Sequence, residues 1–293
     1  MVQVVTPSKQ VPDTEPELDS GTWVVMGGGA AKGLAHVGAW KAIQEAGIPV
    51  AGIIGTSTGA MMGAAFAGGR TVEEMEEYCH RLRRRDIMRV NRRATWVNGI
   101  RSQSVFQGDT LRRFIQDLLP TEDWDELTIP LMVNAVDLAS GETVWFGHGG
   151  DQDVTVVDSV HASAALPVLF PPVELGGRLL IDGGALDMLP LGRAAEMGAT
   201  RIIAIDVGAG PQADARVVVE GGLIAVHQRV FSMMAGQRRR DSVRSWTGVP
   251  LTYVWPDFED RDGFDFKERH FFIEEGYRAT RDALTVPAPP PGG

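Results

Sequence analysis

The sequence predicts an α/β fold in which a mostly parallel central sheet carries helices on both faces, giving three layers. Short apolar runs typical of strands alternate with helical stretches along most of the chain. Glycine is frequent, at 35 of 293 residues, and aromatic residues make up only 7%. This composition suits an α/β protein, because strand-to-helix turns are tight and glycine fits them well.

Each predicted element rests on its apolar pattern and on the residues that end it. Short apolar runs predict strands at 23–26, 50–55, 129–138, 142–146, 178–182, 201–208 and 250–257. Amphipathic or small-residue stretches predict helices at 34–47, 58–69, 71–85, 111–119, 191–198 and 271–284. Gly47 and Pro120 are the expected ends of two of these helices. The strands at 129–138 and 142–146 flank an Ala-Ser-Gly turn, so we expect a β-hairpin or two neighbouring strands.

Composition and charge exclude several classes of protein. The net charge of −10 argues against nucleic acid as the main partner. A single cysteine, Cys79, rules out an internal disulfide, and no Cys/His pattern indicates structural zinc. The N-terminus lacks the basic and apolar regions of a secretory signal, and no apolar stretch reaches the roughly 18 residues that span a bilayer. We therefore expect a soluble, cytoplasmic protein, with attachment to a membrane surface left open.

Both ends of the chain have the composition of tails. Residues 1–20 are polar, acidic and proline-containing, and residues 286–293 are rich in proline and glycine. The part between them, residues 21–285, shows no internal repeat and is predicted to form a single domain.

The stretch Gly-Thr-Ser-Thr-Gly at 55–59 lies between a predicted strand and a predicted helix. In this setting a serine stands on a sharp turn above the carboxyl edge of the sheet, and the next helix directs its N-terminus at the same place. Gly55 and Gly59 lack a Cβ and let the turn tighten. The pattern predicts that Ser57 is a nucleophile, although such a pattern also occurs as an ordinary bend in a glycine-rich chain.

A glycine-rich loop, Gly-Gly-Gly-Ala-Ala-Lys-Gly, occupies residues 27–33. Its glycine spacing does not fit the dinucleotide fingerprint, and Lys32 is followed by Gly33 where a phosphate-binding loop needs Ser or Thr. The remaining interpretations are an ordinary turn and an oxyanion hole built from backbone N–H groups. The position one β–α unit before Ser57 favours the oxyanion hole, with Lys32 adding positive potential or bracing the loop.

A serine nucleophile usually works with a histidine base, but no histidine stands in an obvious strand-end loop. The histidines are His36, His80, His148, His161, His227 and His270. Asp182 is the better candidate, because it closes an apolar strand and precedes Gly183 and Gly184. A carboxylate within reach of a serine hydroxyl can act as the base directly. Aspartate is also common in plain turns before glycine, and Asp187 and Asp206 remain weaker candidates.

Four stretches in this order make the sequence similar to the patatin-like phospholipase family. They are GGGAAKGLAHVGAWKAI at 27–43, GTSTG at 55–59, ASAALPVLFPPV at 162–173, and IDGG at 181–184 with a following MLPL. The resemblance implies a lipid acyl hydrolase of the phospholipase, lysophospholipase or esterase kind on a three-layer α/β fold. It also implies that no metal or cofactor is required.

The resemblance assigns roles to particular residues. Ser57 would be the nucleophile and Asp182 the base of a dyad without a catalytic histidine, acting through an acyl-enzyme. The N–H groups of Gly28, Gly29 and Ala30 would form the oxyanion hole, with the flanking glycines as support. Family loops often carry glycine where this chain has Ala30, and the alanine methyl group would narrow the hole or shift which N–H points inward.

Two other functions stay open from the residues alone. One is an α/β-hydrolase triad that uses Asp206 with His227 or His270, and the other is a non-enzymatic or nucleotide-binding α/β protein. The segment 81–93 carries seven arginines and is either a contact for anionic lipid headgroups or a solvated helix face paired with the acidic residues upstream. Trp96, Val97, Ile100 and Phe106 follow it as an apolar lid, an acyl-chain wall or core.

Overall fold

A single mixed sheet organises the fold. The computed structural model describes residues 20–90, 104–208, 214–259, 261, 263 and 265–285. In these parts of the chain, eight strands form one sheet. The tails expected at 1–20 and 286–293 lie outside the described residues, apart from Ser20.

The sheet is mostly parallel, as predicted. Its strands are β1 (Gly21–Met26), β2 (Val50–Gly55), β3 (Leu131–Asp137), β4 (Thr143–Gly147), β5 (Val173–Leu175), β6 (Arg178–Asp182), β7 (Ala199–Ile205) and β8 (Leu251–Val254). The strand order is β5-β6-β3-β2-β1-β7-β8, and β4 pairs with β3. The run β3-β2-β1-β7-β8 is parallel throughout. Strands β4 and β6 are antiparallel to β3, and the predicted β3–β4 hairpin is confirmed.

Ten α-helices accompany the sheet in the described residues. They are α1 (Ala35–Glu45), α2 (Thr58–Ala67), α3 (Val72–Arg81), α4 (Arg84–Ile87), α5 (Gly108–Leu118), α6 (Val156–Ser163), α7 (Leu191–Glu196), α8 (Ala215–Glu220), α9 (Gly222–Arg244) and α10 (Arg269–Thr285). Gly47 follows the end of α1 with φ 64°, which is the conformation that glycine accepts at helix ends.

Helices cover both faces of the sheet, which confirms three layers. Side chains alternate along β1, so that Val24 and Met26 join one apolar core while Trp23 and Val25 join the other. The larger core contains side chains of α1, α2, α3, α5, α6 and α10. The smaller one contains side chains of α7 and, at its edge, Val243 of α9. Strands buried on both faces explain the continuous apolar runs of the sequence.

The helices differ from the prediction at four places. The single helix expected at 71–85 is broken between α3 and α4, because Leu82 and Arg83 are extended and Leu82 turns its side chain inward. Helices α6, α8 and α9 were not predicted. The sequence of helix α9 lacks the usual amphipathic pattern, because the exposed side of the helix carries large apolar residues.

No helix among the described residues has the length and apolar character needed to cross a membrane. Within the same ranges, no group of three or more His, Cys, Asp or Glu side chains has the arrangement of a metal site.

Candidate active site

Ser57 stands on the tight turn between β2 and α2. Its backbone has φ 56° and ψ −122°, a conformation that residues with a side chain rarely adopt. Such a conformation costs about 1–3 kcal/mol and persists only where the surrounding structure holds it. The turn is also very close-packed. A Cβ at Gly59 would lie 2.0 Å from the Met26 carbonyl oxygen, and one at Gly55 would lie 2.4 Å from Ala60 Cα.

Strand β3 brings Asp182 to the end of β2. Gly55, the last residue of β2, lies opposite Val133. Asp182, the last residue of β6, lies opposite Ala135, two residues further along β3. Because β6 runs antiparallel to β3, its carboxyl end approaches the carboxyl end of β2. Ser57 and Asp182 therefore meet although 125 residues separate them.

One short segment holds the backbone of both residues. The Ser57 N–H donates a 2.9 Å hydrogen bond to Ser163 Oγ, and the Asp182 N–H donates a 3.1 Å hydrogen bond to the Ala165 carbonyl. Ser163 is the last residue of α6 and is completely buried. The sequence did not identify this role. The available signal was a small polar residue inside the apolar stretch 162–173.

Burial makes Asp182 an unusually basic carboxylate. Removal from solvent raises its pKa from 3.8 to about 6, and hydrogen bonding from the Ser57 hydroxyl and the Gly184 N–H partly opposes this. Oδ1 accepts from Gly184 N at 2.8 Å. Oδ2 is buried and has no hydrogen bond of standard geometry. The contact of Asp182 with the Ser57 hydroxyl is therefore looser than a standard hydrogen bond.

The three predicted oxyanion donors are not equivalent. Gly28 backs directly onto the serine, since a Cβ there would lie 2.8 Å from Ser57 Cβ. The Gly29 N–H already donates to Thr58 Oγ1 at 3.0 Å. Within the described residues, the N–H groups of Gly28 and Ala30 make no hydrogen bond to the protein. Ala30 has φ 53°, so the methyl-bearing residue adopts the left-handed conformation that glycine favours.

Two hydrogen bonds at Gly27 hold the glycine-rich loop in place. The Gly27 N–H donates to the Ile205 carbonyl at 3.0 Å, and His36 Nε2 donates to the Gly27 carbonyl at 2.8 Å. Burial lowers the pKa of His36 to about 4, so its ring is neutral at ordinary pH. Lys32 is buried, and its ammonium lies 5.5 Å from the centre of the Phe258 ring. This geometry fits a bracing role for Lys32.

The other motif glycines mark close approaches. A Cβ at Gly33 would lie 2.5 Å from Thr58 Oγ1. One at Gly183 would lie 2.4 Å from Asn134 Oδ1, and one at Gly184 would lie 2.1 Å from a methionine methyl group. Since Cβ atoms do not pack this closely, these glycines let the glycine-rich loop, the serine turn and the aspartate turn come together.

Ser57 opens into an apolar cavity, called here the Ser57 cavity. Its walls come from α2, the α3–α4 segment, α5 and the segment after α6, and they include Met61, Leu82, Ile87, Phe114, Leu166 and Phe170. Of the residues proposed as a lid or acyl-chain wall, Phe106 is a core residue that packs on Phe170. Trp96, Val97 and Ile100 lie outside the described residues.

Histidines are absent from the walls of the Ser57 cavity, as far as the described residues define them. His270 packs against His80, with 4.3 Å between ring centres, and His227 lies on α9. Asp187, the weaker acid candidate of the same loop as Asp182, accepts a hydrogen bond from the Leu189 N–H.

Asp206 is occupied by other partners. Its carboxylate pairs with Arg239 of α9 at 3.0 Å and accepts hydrogen bonds from the Tyr253 hydroxyl at 2.9 Å and the Gly208 N–H at 3.0 Å. The basic run Arg-Arg-Arg-Asp at 238–241 is typical of a surface segment. Arg239 is nevertheless only 6% exposed, because the buried Asp206 carboxylate requires a cation.

The fold and site together describe an α/β protein with a serine on a strained strand-to-helix turn, a buried carboxylate beside it and a glycine-rich loop above. Comparison with known families agrees. The model of the family "Patatin-like phospholipase" matches residues 24–195. The match covers more than half of the chain, so the chain belongs to the patatin-like phospholipase family, which confirms the resemblance seen in its motifs.

The chain is similar to two curated relatives and to one solved structure. The chain is 33% identical over 195 residues to an uncharacterized NTE family protein of Mycobacterium tuberculosis, covering 66% of this chain and 51% of the relative. It is 31% identical over 206 residues to human patatin-like phospholipase domain-containing protein 6, and the match covers 65% of this chain and 14% of the human protein. The crystal structure of VipD from Legionella pneumophila aligns with a TM-score of 0.47 and 16% identity, and the alignment covers 90% of this chain and 66% of VipD. The chain thus spans about half the length of the mycobacterial relative.

Proposed function

We propose that this protein is a serine lipid acyl hydrolase of the phospholipase, lysophospholipase or esterase kind. The observation that carries the proposal is the approach of the strained Ser57 to the buried Asp182, both held by the segment 163–165. A carboxylate with a raised pKa is ionised at neutral pH and still accepts a proton more readily than an exposed one.

The reaction proceeds in two halves. Asp182 takes the Ser57 proton while Ser57 Oγ attacks the ester carbonyl carbon, and the carbonyl oxygen becomes an oxyanion. The oxyanion collapses, the bond to the alcohol breaks, and the alcohol leaves with the proton from Asp182. Asp182 then takes a proton from water as the water attacks the acyl-enzyme. The fatty acid leaves, and the proton returns to Ser57.

The oxyanion is stabilised by the glycine-rich loop and the N-terminus of α2. The free N–H groups of Gly28 and Ala30 are the proposed donors, while the Gly29 N–H holds the loop against Thr58. The φ of Ala30 supports its place in this set, because the alanine takes the left-handed backbone conformation that glycine favours.

The substrate class follows from the family and the cavity. The family takes its name from phospholipases. The Ser57 cavity is lined mainly by aliphatic and aromatic side chains, which fit an acyl chain. We propose lipid esters as substrates and no metal or cofactor in the reaction.

Covalent labelling tests the nucleophile. A fluorophosphonate probe should label the wild-type protein and leave Ser57→Ala unlabelled, and a panel of lipid classes should be hydrolysed only by the wild type. Asp182→Asn should lower kcat by about 10³-fold or more while keeping its fold. Equal labelling of wild type and Ser57→Ala would remove Ser57 from the mechanism.

Three controls separate the competing functions. Asp187→Asn, His227→Ala and His270→Ala should keep turnover, because none of these side chains lines the Ser57 cavity. A folded histidine variant without activity would favour the Ser-Asp-His triad. Tight binding of NAD or ATP without hydrolysis of any ester would favour the nucleotide-binding alternative.

We also propose that the arginine-rich segment meets anionic headgroups. Arg83, Arg84 and Arg85 are exposed, and the neighbouring Leu82 and Ile87 line the Ser57 cavity. A lipid bound by this segment would lie beside the reacting ester. Arg81, the first arginine of the segment, pairs with Glu77 at 2.8 Å. At this position the contact favours the other interpretation, a solvated helix face. Glutamine at the three exposed positions should weaken binding to anionic vesicles at low salt.

A further inference from the structure

Helices α8 and α9 carry a large apolar surface that faces solvent. Eight of the twelve large apolar side chains that are exposed in the described parts of the chain lie between 217 and 234. On α9 they include Leu223, Val226, Val230, Met233 and Met234, whose spacing of three and four residues places them on one side of the helix. We call this surface of α9 the apolar stripe. Contiguous patches of this kind mark binding surfaces.

The stripe is held facing outward. The buried residues of α9 are Ala235, Gly236 and Arg239, which lie on the opposite side of the helix. Arg239 pairs with the buried Asp206, and this pair fixes the rotation of the helix about its axis. The apolar side chains therefore cannot turn into the core without breaking a buried ion pair.

Helix α9, which carries the stripe, also contacts the candidate active site. Gln228 Nε2 donates a 3.0 Å hydrogen bond to the Pro167 carbonyl, and Leu166 and Leu169 on either side of that proline line the Ser57 cavity. Further along the helix, Arg238 donates to the carbonyl of Ala185 in the loop after Asp182. Because Gln228 lies on the side of α9 opposite the stripe, the helix itself separates the stripe from the wall of the cavity.

Charge indicates what binds there. Residues 214–244 contain five arginines besides the buried Arg239, against three acidic residues, in a protein with a net charge of −10. An apolar helix face flanked by arginine is typical of helices that lie in the interface of an anionic membrane. Pairing of two copies through the stripe would instead bring two basic surfaces together.

We propose that the apolar stripe is a lipid-docking surface that seats the protein on an anionic lipid surface through the helix that contacts a wall of the Ser57 cavity. This inference rests on the proposed lipid hydrolysis for its purpose, but docking itself needs no turnover. It is separate from the arginine-rich segment 81–93, because its main attraction is apolar and persists at high salt.

The test uses the full chain with Ser57→Ala, so that binding is measured without hydrolysis. Val230→Gln with Met234→Gln removes side chains that are 49% and 54% exposed. Leu179→Gln with Leu138→Gln is the matched control, with exposures of 50% and 54% outside α8 and α9. Flotation with vesicles of equimolar phosphatidylcholine and phosphatidylserine, at low and high salt, gives the partition of each variant.

The stripe variant, with Val230→Gln and Met234→Gln, should bind the vesicles about tenfold more weakly than the parent Ser57→Ala chain at both salt concentrations. The control variant, with Leu179→Gln and Leu138→Gln, should bind as well as the parent. With Ser57 restored, the stripe variant should hydrolyse a soluble short-chain ester at the wild-type rate, which shows that it folds. Equal partition of the stripe and control variants would overturn the proposal. The proposal would also be overturned if the Ser57→Ala chain formed a dimer that the stripe substitutions dissociate. It would equally be overturned if the Ser57→Ala chain did not bind the vesicles. Vesicle binding without ester hydrolysis would instead contradict the proposed function alone.

Discussion

The Ser57 N–H donates a 2.9 Å hydrogen bond to the hydroxyl oxygen of Ser163, a residue 106 positions further along the chain. Two residues after Ser163, the Ala165 carbonyl accepts the N–H of Asp182. The end of α6 is therefore the common support for the strained serine and for its carboxylate. Ser163 is a positioning residue in this arrangement, since it acts through the backbone of Ser57.

Ser163→Ala should lower kcat about tenfold or more and leave KM nearly unchanged. The substitution leaves the half-buried Ser57 N–H without its acceptor, at a cost of up to about 1–3 kcal/mol, and loosens the turn. Steady-state kinetics on a soluble ester separates kcat from KM. Ser163→Thr keeps a hydroxyl and should restore part of the activity. Ser159→Ala is the matched control, because Ser159 is a buried serine of the same helix that bonds only its own helix, at Val156. Equal kcat values for the two alanine variants would rule out the positioning role.

The activity should rise with pH through about 6. Asp182 must be ionised to accept the Ser57 proton, and burial raises its pKa to about 6. The profile of kcat/KM against pH on a soluble ester reports this group in the free enzyme. A profile that stays flat down to pH values near 4 would show that a carboxylate of ordinary pKa, or another group, is the base.

The same shift makes Asp182 a destabilising residue at neutral pH. Its folded pKa is raised above the unfolded 3.8, so the stability that it contributes is full below 3.8 and is lost as the pH rises through about 6. Relative to wild type, Asp182→Asn should gain stability between these values and keep a gain on the order of 3 kcal/mol at pH 7. Urea unfolding at pH 4 and pH 7 measures the difference. A variant less stable than wild type at both pH values would contradict this account.

Gly28→Ala should lower kcat by about 10²-fold or more. The added Cβ would lie 2.8 Å from Ser57 Cβ and 2.6 Å from Met188 Sδ, so either the loop or the serine must move. Oxyanion stabilisation depends on donor geometry and is lost with such a shift. Gly192→Ala on α7 is the control, because a Cβ there meets no atom within 4 Å. A Gly28→Ala enzyme as active as Gly192→Ala would place the oxyanion elsewhere.

Arg239→Leu should destabilise the fold by about 3–5 kcal/mol, because it leaves the buried Asp206 carboxylate without its cation. Urea unfolding measures the loss. The neighbouring Arg240→Leu serves as the comparison, since Arg240 is exposed and bonds Gln237 of its own helix. It should change the stability by no more than about 0.5 kcal/mol. Similar stabilities of the two variants would show that Asp206 is satisfied by Tyr253 and Gly208 alone.

The sequence predicts those parts of the fold that leave a local pattern. The turn at Ser57 carries two glycines and lies between an apolar strand and a small-residue helix, so the five residues 55–59 predict its geometry. The same holds for the β3–β4 hairpin and for the end of α1. Each of these depends on residues close together in the chain.

Long-range relationships were not predictable in this way. The sequence marks Asp182 as the end of a strand, but nothing local shows that β6 runs antiparallel to β3 and so brings the carboxylate to Ser57. The supports at Ser163 and Thr58 are single hydroxyl groups without a pattern of their own. Arg239 looks like any residue of an exposed basic cluster, and only the partner on another strand end reveals its burial.

The distance in sequence between the supporting contacts has a consequence for the newly made chain. Ser57 takes its conformation from Ser163, its carboxylate arrives with β6, and the glycine-rich loop is fixed to Ile205 at the end of β7. A ribosome-bound chain that ends before β7 has the serine but lacks the brace of the loop. On the proposed mechanism, such a chain cannot hydrolyse lipids, so activity begins only after β7 has been made.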